Sequence, residues 1–137
     1  MPRLSRLLET SLYVGDLDVS RDFYQRVLGL EVLGQEERMC ALAVPGDGLL
    51  LLFRRGGSVR PCEVPGGTIP PHDGRGTLHL CFAMPLAELD AWRRHLIAFG
   101  VDIESEVRQA FDGHSLYFRD PDGHSLEVAT PGLWQVW

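Results

Sequence analysis

The sequence predicts an α+β fold in which two βαβββ modules form a curved, partly closed sheet around a cavity. Two observations lead there. A strand-like stretch gives way to a helical hydrophobic period twice, once on either side of a Gly- and Pro-rich segment at 56–76. Short punctuation also repeats: LGLEV at 28–32 corresponds to FGVDI at 99–103, and Pro45-Gly46-Asp47-Gly48 to Asp120-Pro121-Asp122-Gly123. Module one is expected at about 5–55 and module two at 77–130, within one domain spanning 1–137.

Taken in order, Leu7 to Val14 (LLETSLYV) reads as a strand whose alternation puts Glu9, Ser11 and Tyr13 on one face. From Asp16 the period changes. Val19, Phe23 and Val27 recur every four residues, Asp16 or Asp18 suits the N-cap, and Gly29 suits the stop, which predicts a helix of about three turns. Residues 31–35, 38–45 and 48–54 read as strands, the last two joined by the turn-forming Pro45–Gly48. The 56–76 segment reads as a linker with a site loop, because Gly and Pro do not suit a helix interior or a central strand. Module two opens with a strand at 77–83 and a helix at 86–99, with Leu86, Leu89, Trp92, Leu96 and Phe99 on one stripe.

Composition bounds the function. With 45% hydrophobic and 23% charged residues the chain has the balance of a globular domain. A net charge of -6, with Arg54, Arg55 and Arg60 scattered among other residues, offers little to a phosphate backbone, so no nucleic-acid partner is expected. The apolar run Leu49–Phe53 is far too short to cross a bilayer, and the first residues lack a signal-peptide core, so a cytoplasmic protein without a membrane partner is expected. Cys40, Cys62 and Cys81 are odd in number and lack CxxC spacing, and read as small reduced hydrophobes.

Three residues stand out chemically. Glu9 lies in an otherwise apolar strand, where an unpaired carboxylate is costly to bury. His79 occupies the equivalent strand of module two, and Glu127 sits between Leu126 and Val128 in its last strand. Each alone is ordinary. At related positions of a duplicated fold, all able to face one cavity, they suggest a metal site, since a cation is the simplest remedy for two adjacent carboxylates.

The stretches LYVGDLDVSRDFYQRVLGLEV (12–32) and SLYFRDPDGHSLEVATPGLW (115–134) carry a family resemblance. With them the chain resembles the vicinal-oxygen-chelate superfamily, which includes glyoxalase I, bleomycin-resistance proteins, fosfomycin-resistance enzymes and extradiol dioxygenases. The resemblance implies a metal held by Glu9, seven residues before Asp16, by His79 of HLCFA, and by Glu127, four residues beyond DPDG. Glu9 departs from the His more often found there. A fourth family position maps to Leu51 or Leu52, neither of which can ligate, and this argues against the four-ligand site of glyoxalase I.

An O, N, O donor set suits a divalent ion such as Mn, Fe, Ni, Co or Zn. The resemblance further implies Tyr117 as a catalytic hydroxyl able to stabilise an oxyanion, and Ser11, with Tyr13 on the same face, as substrate-binding residues. His72, on the loop before His79, is a candidate general base. The arginine expected after the last ligand of fosfomycin enzymes is missing from ATPGLWQVW. The expected protein is thus a metal-dependent isomerase, lyase or dioxygenase acting on a small oxygen-chelating metabolite, and a homodimer. The alternatives are a metal-free sequestering protein of the bleomycin-resistance type and a metal that only braces the fold.

Overall fold

Both halves of the chain build a sheet in the same way. In the computed structural model, which describes residues 1–137, the chain divides into two units, Met1–Gly76 and Thr77–Trp137. In the first unit, strand β1 (Glu9–Val14) leads into helix α1 (Leu17–Arg26), then β2 (Glu31–Gln35), β3 (Met39–Val44) and β4 (Gly48–Arg54). These form one four-stranded sheet in the order β1-β4-β3-β2. β1 runs parallel to β4 and the other pairs are antiparallel. A parallel pair cannot be closed by a tight turn, and here α1, β2 and β3 provide the crossover.

Helix α1 begins where Asp16 accepts a hydrogen bond from the Val19 amide at 3.0 Å, a cap worth about 1 kcal/mol. The buried stripe is Leu17, Ser20, Tyr24 and Val27, so the helix is rotated from the expected Val19–Phe23–Val27 face and Val19 is exposed. The reason is volume: Tyr24 is the largest side chain in the molecule to be wholly enclosed, and its ring takes the place next to the sheet. Leu12, Val14, Leu42, Leu50 and Leu52 share that burial. Each such side chain contributes about 1.5–3 kcal/mol.

The 56–76 segment contains more order than a linker. β5 (Cys62–Val64) and β6 (Gly67–Ile69) pair as a small hairpin around Pro65-Gly66. Gly67 has φ of 146°, which a side chain would resist.

The second unit repeats the plan with β7 (His79–Ala83), helix α2 (Leu89–Ala98), β8 (Ser105–Arg108), β9 (His114–Arg119) and β10 (Ser125–Ala129). The sheet order is β7-β10-β9-β8, with β7 parallel to β10. The helix expected at 86–99 starts with a 3-10 turn at Leu86–Glu88, and Leu86 and Phe99 are exposed while Leu89 and Leu96 are buried. Leu116, Phe118, Leu126 and Val128 are also buried. Neither sheet closes into a barrel, and no helix is long and apolar enough to cross a membrane.

Candidate metal centre

In the second unit, register decides which side chains meet. Ser125 pairs with His79 and Glu127 with Cys81 across β10 and β7, while Glu127 pairs with Tyr117 across β10 and β9. Strand alternation therefore brings His79, Cys81, Glu127 and Tyr117 to one face of the sheet. Leu126 and Val128 point the other way and are buried with Leu116 and Phe118.

The DPDG turn fixes this register. Asp120 is buried and its carboxylate accepts hydrogen bonds from the amides of Asp122 (3.0 Å) and His124 (2.8 Å), while Gly123 takes φ of 82°. His124 is completely enclosed and its Nδ1 accepts the Leu78 amide at 2.9 Å, tying the chain just before β7 to the start of β10. His124 thus helps to position His79.

His79 is held in a telling way. Its Nδ1 lies 2.9 Å from the Ser125 carbonyl oxygen. A carbonyl only accepts, so Nδ1 carries the proton and donates it there, which commits Nε2 to the opposite side of the ring. That Nε2 lies 3.3 Å from Glu127 Oε2. A bare nitrogen and a carboxylate oxygen facing each other at this distance call for a positive centre between them, either a proton or a metal ion. An imidazole whose far nitrogen donates to a carbonyl is also the arrangement by which metal-ligating histidines are oriented.

Glu127 points the same way. Its side chain is only 3% exposed and its Oε1 is buried without a hydrogen-bond partner. A buried carboxylate oxygen without a partner costs about 1–3 kcal/mol, which an ion bound to it would offset. Its charge is felt nearby. Burial, and then the Glu127 charge, hold the Tyr117 hydroxyl above its ordinary range, so it stays a proton donor at neutral pH. Packing around its sulfur, and then the Glu127 charge, push the Cys81 thiol up to about 12 although the residue as a whole is exposed. Gln109 Nε2 donates to Ser115 Oγ (2.9 Å) and Tyr117 Oη (3.3 Å), and the Tyr117 ring stacks beside His79 at 6.3 Å between centroids.

The first unit places Glu9, Ser11 and Tyr13 on one face of β1, with Thr10, Leu12 and Val14 on the other. Glu9 is exposed and pairs in register with Leu49; Ser11 pairs with Leu51. Leu51 therefore occupies the Glu9 face, and Leu52 is turned into the core. Neither offers a donor atom. At the far end of this face Tyr13 Oη lies 2.8 Å from His72 Nδ1, and the His72 ring packs edge-on against Phe53 at 4.5 Å. The loop carrying His72 is further fixed by the His72 amide donating to the Ser58 carbonyl (2.9 Å) and the Gly56 amide donating to Asp73 (3.1 Å). Gly74 is required there, since a Cβ would stand 2.3 Å from the Tyr13 ring. Burial, then the Asp73 charge, raise Tyr13 above its ordinary range.

The expected residues thus fall into two sets: His79, Glu127 and Tyr117 together in unit two, and Glu9, Ser11, Tyr13 and His72 in unit one. No three His, Cys, Asp or Glu side chains converge on one point. His79 and Glu127 fit a divalent ion by their donor chemistry and by the partnerless buried oxygen.

Comparison with known proteins agrees with the fold. Residues 6–128 match the family described as the Glyoxalase/Bleomycin resistance protein/Dioxygenase superfamily. The chain belongs to that superfamily. Among superfamily relatives, it is 30% identical over 122 residues to metallothiol transferase FosB of Bacillus licheniformis, covering 88% of this chain and 72% of the relative. It is 28% identical over 130 residues to catechol-2,3-dioxygenase of Bacillus subtilis, covering 92% of this chain but 41% of that protein. A crystal structure of lactoylglutathione lyase from Agrobacterium tumefaciens superposes with a TM-score of 0.88 at 34% identity, covering 98% and 99% of the two chains. The names of these superfamily members span a transferase, a dioxygenase and a lyase.

Two participants were not singled out from sequence. Gln109 lies in a stretch to which the sequence reading gives no element, and nothing in its neighbourhood signals that it reaches Tyr117. Cys81, read as a small reduced hydrophobe, is exposed, and Cys62 is half-buried; only Cys40 is enclosed. The spacing His79-Leu80-Cys81, two donor types at i and i+2 of a strand, was the available signal.

Proposed function

We propose that this protein is a metal-dependent enzyme that binds a small metabolite through vicinal oxygens, with His79, Glu127 and Glu9 as its metal ligands. The observation that carries the reading is the His79 imidazole, anchored through Nδ1 with its Nε2 turned toward the buried Glu127 carboxylate. A divalent ion bound there supplies Lewis-acid polarisation of substrate oxygens. Two carboxylates and one imidazole neutralise such an ion and temper its acidity, which favours chelation and orientation of the substrate over generation of hydroxide.

The chain's own residues then divide the work. Tyr117, kept protonated and held by Gln109, donates its hydroxyl hydrogen to a substrate oxygen as negative charge develops. Ser11, two residues from Glu9 on the same face, offers a hydroxyl close to Glu9. Tyr13 is four residues from Glu9, about 13 Å along the strand at the usual rise. His72, bonded to Tyr13, suits binding the far end of an elongated substrate better than proton transfer beside the ion. Leu51, facing Glu9's side of β4 without a donor atom, leaves the set short of the four-ligand plan and counts against lactoylglutathione lyase activity.

The experiment is metal content per chain for wild type and for Glu9→Gln, His79→Ala and Glu127→Gln after reconstitution with Mn²⁺, Fe²⁺, Co²⁺, Ni²⁺ and Zn²⁺. One ion per wild-type chain, lost in all three variants, is expected, and loaded protein is then screened against diols, α-keto compounds and epoxides. A wild type that takes up none of these ions would overturn the proposal in favour of a sequestering protein. A cytoplasmic homodimer is part of the same reading, and light scattering of purified protein tests the dimer.

A further inference from the structure

The face that carries His79 and Glu127 holds a third potential donor. Cys81 stands two residues beyond His79 on β7, so alternation puts its sulfur on the same side of the sheet. The parallel register sets it directly opposite Glu127. It is exposed and in no disulfide. Between these two lies a carboxylate with one oxygen 3.3 Å from His79 Nε2 and the other buried without a partner.

Distances on a sheet make the three mutually accessible. Neighbouring strands are about 4.8 Å apart and residues i and i+2 about 6.6 Å apart. Metal–nitrogen and metal–sulfur bonds of about 2.0 and 2.3 Å span such gaps from a common centre once side chains extend off the surface. Cysteine has a single heavy-atom side-chain torsion, so moving its sulfur toward an ion costs one rotation.

We propose that Cys81 is a further metal ligand, turning in to join His79 and Glu127 when an ion binds and giving the second unit an N, O, S donor set. This rests on the reading of His79 and Glu127 as ligands. Binding exchanges the S–H bond for a sulfur–metal bond and releases the proton to buffer, with no change in oxidation state. A thiolate donor selects a thiophilic or borderline ion, Zn²⁺ or Co²⁺, over Mg²⁺ and Mn²⁺.

The test is titration of metal-free full-length protein with Co²⁺, followed by absorbance, for wild type, Cys81→Ser, Cys81→Ala, Cys62→Ser, His79→Ala and Glu127→Gln. Wild type and Cys62→Ser are expected to develop a near-ultraviolet thiolate-to-cobalt charge-transfer band together with the visible cobalt bands. Both Cys81 variants are expected to keep the visible bands, lose the charge-transfer band, and bind Zn²⁺ at least about tenfold more weakly relative to Mn²⁺ than wild type does. Visible bands without the charge-transfer band in wild type, or a charge-transfer band that survives in the Cys81 variants, would overturn the role of Cys81 while leaving His79 and Glu127 as ligands. No Co²⁺ uptake by wild type, or undiminished uptake by His79→Ala and Glu127→Gln, would overturn the ligand reading and this proposal with it.

Discussion

Replacing Gly74 by alanine tests how firmly the His72 loop is bound to the first sheet. The added Cβ would fall 2.3 Å from Cδ2 and 2.7 Å from Cε2 of Tyr13, far inside contact distance, so one partner has to move. Tyr13 is anchored in β1 and half-buried against Phe53, whereas Gly74 lies in a loop, so the loop lifts. Lifting sacrifices the Tyr13–His72 hydrogen bond, about 0.5–1.5 kcal/mol, and the edge-on contact of His72 with Phe53, of similar size. The combined loss of about 1–3 kcal/mol corresponds to an opening equilibrium raised about 5- to 150-fold. Arg75 is exposed in that loop, so native-state trypsin cleavage after Arg75 reads the opening directly. Gly74→Ala is expected to be cut faster by that factor, and Tyr13→Phe, which removes only the hydrogen bond, faster by about twofold to tenfold. A Gly74→Ala protein cut after Arg75 at the wild-type rate would refute the account of a loop held down by Tyr13.

Other outcomes follow from the same geometry. Tyr117→Phe is expected to leave metal content unchanged and to lower turnover of any identified substrate about 10²- to 10³-fold, since it removes only the hydroxyl aimed at developing charge; Gln109→Ala should do the same more weakly, measured by kcat under saturating substrate. Asp120→Ala strips one buried and one half-buried amide of their acceptor and is expected to destabilise the protein by about 3 kcal/mol in urea denaturation, with reduced metal uptake because β7 and β10 lose their register. Because Tyr13 is raised in the folded state, its contribution to stability is complete below the unfolded value of about 10 and is lost as the pH climbs through the higher native value. Denaturation curves between pH 9 and 11.5 should show a steeper decline in wild type than in Tyr13→Phe, where the raised Tyr117 and Cys81 still contribute, and Asp73→Asn should narrow the difference.

Much of the fold could be read from sequence because its signals are local. Asp16, a helix-capping residue, stands at the head of α1, and DPDG presents a buried acceptor followed by a glycine with positive φ. The rotation of α1 was not legible, because Val19 and Tyr24 are both apolar enough for a core and only three-dimensional volume decides between them. The β5–β6 hairpin was hidden by the surrounding glycines and prolines, although Val64, Thr68 and Ile69 are strand-forming residues. At the site, strand alternation was enough to put Glu9 with Ser11 and Tyr13. The proximity of His79 to Glu127, and of Gln109 to Tyr117, depends on pairing between distant segments that no spacing encodes.

β7 lies at the margin of its sheet, with β10 as its only hydrogen-bonded neighbour. A marginal strand frays more readily than a central one, and its amides exchange with solvent through small local openings. His79 is on that strand and Glu127 on its neighbour, so any ion that binds both acts as a rivet across the last seam of the sheet. Occupancy and local order are then two readings of one equilibrium: slowed deuterium uptake along residues 79–83 would report loading without any substrate, and a substitution that loosens this margin would weaken ion affinity while leaving every donor atom in place.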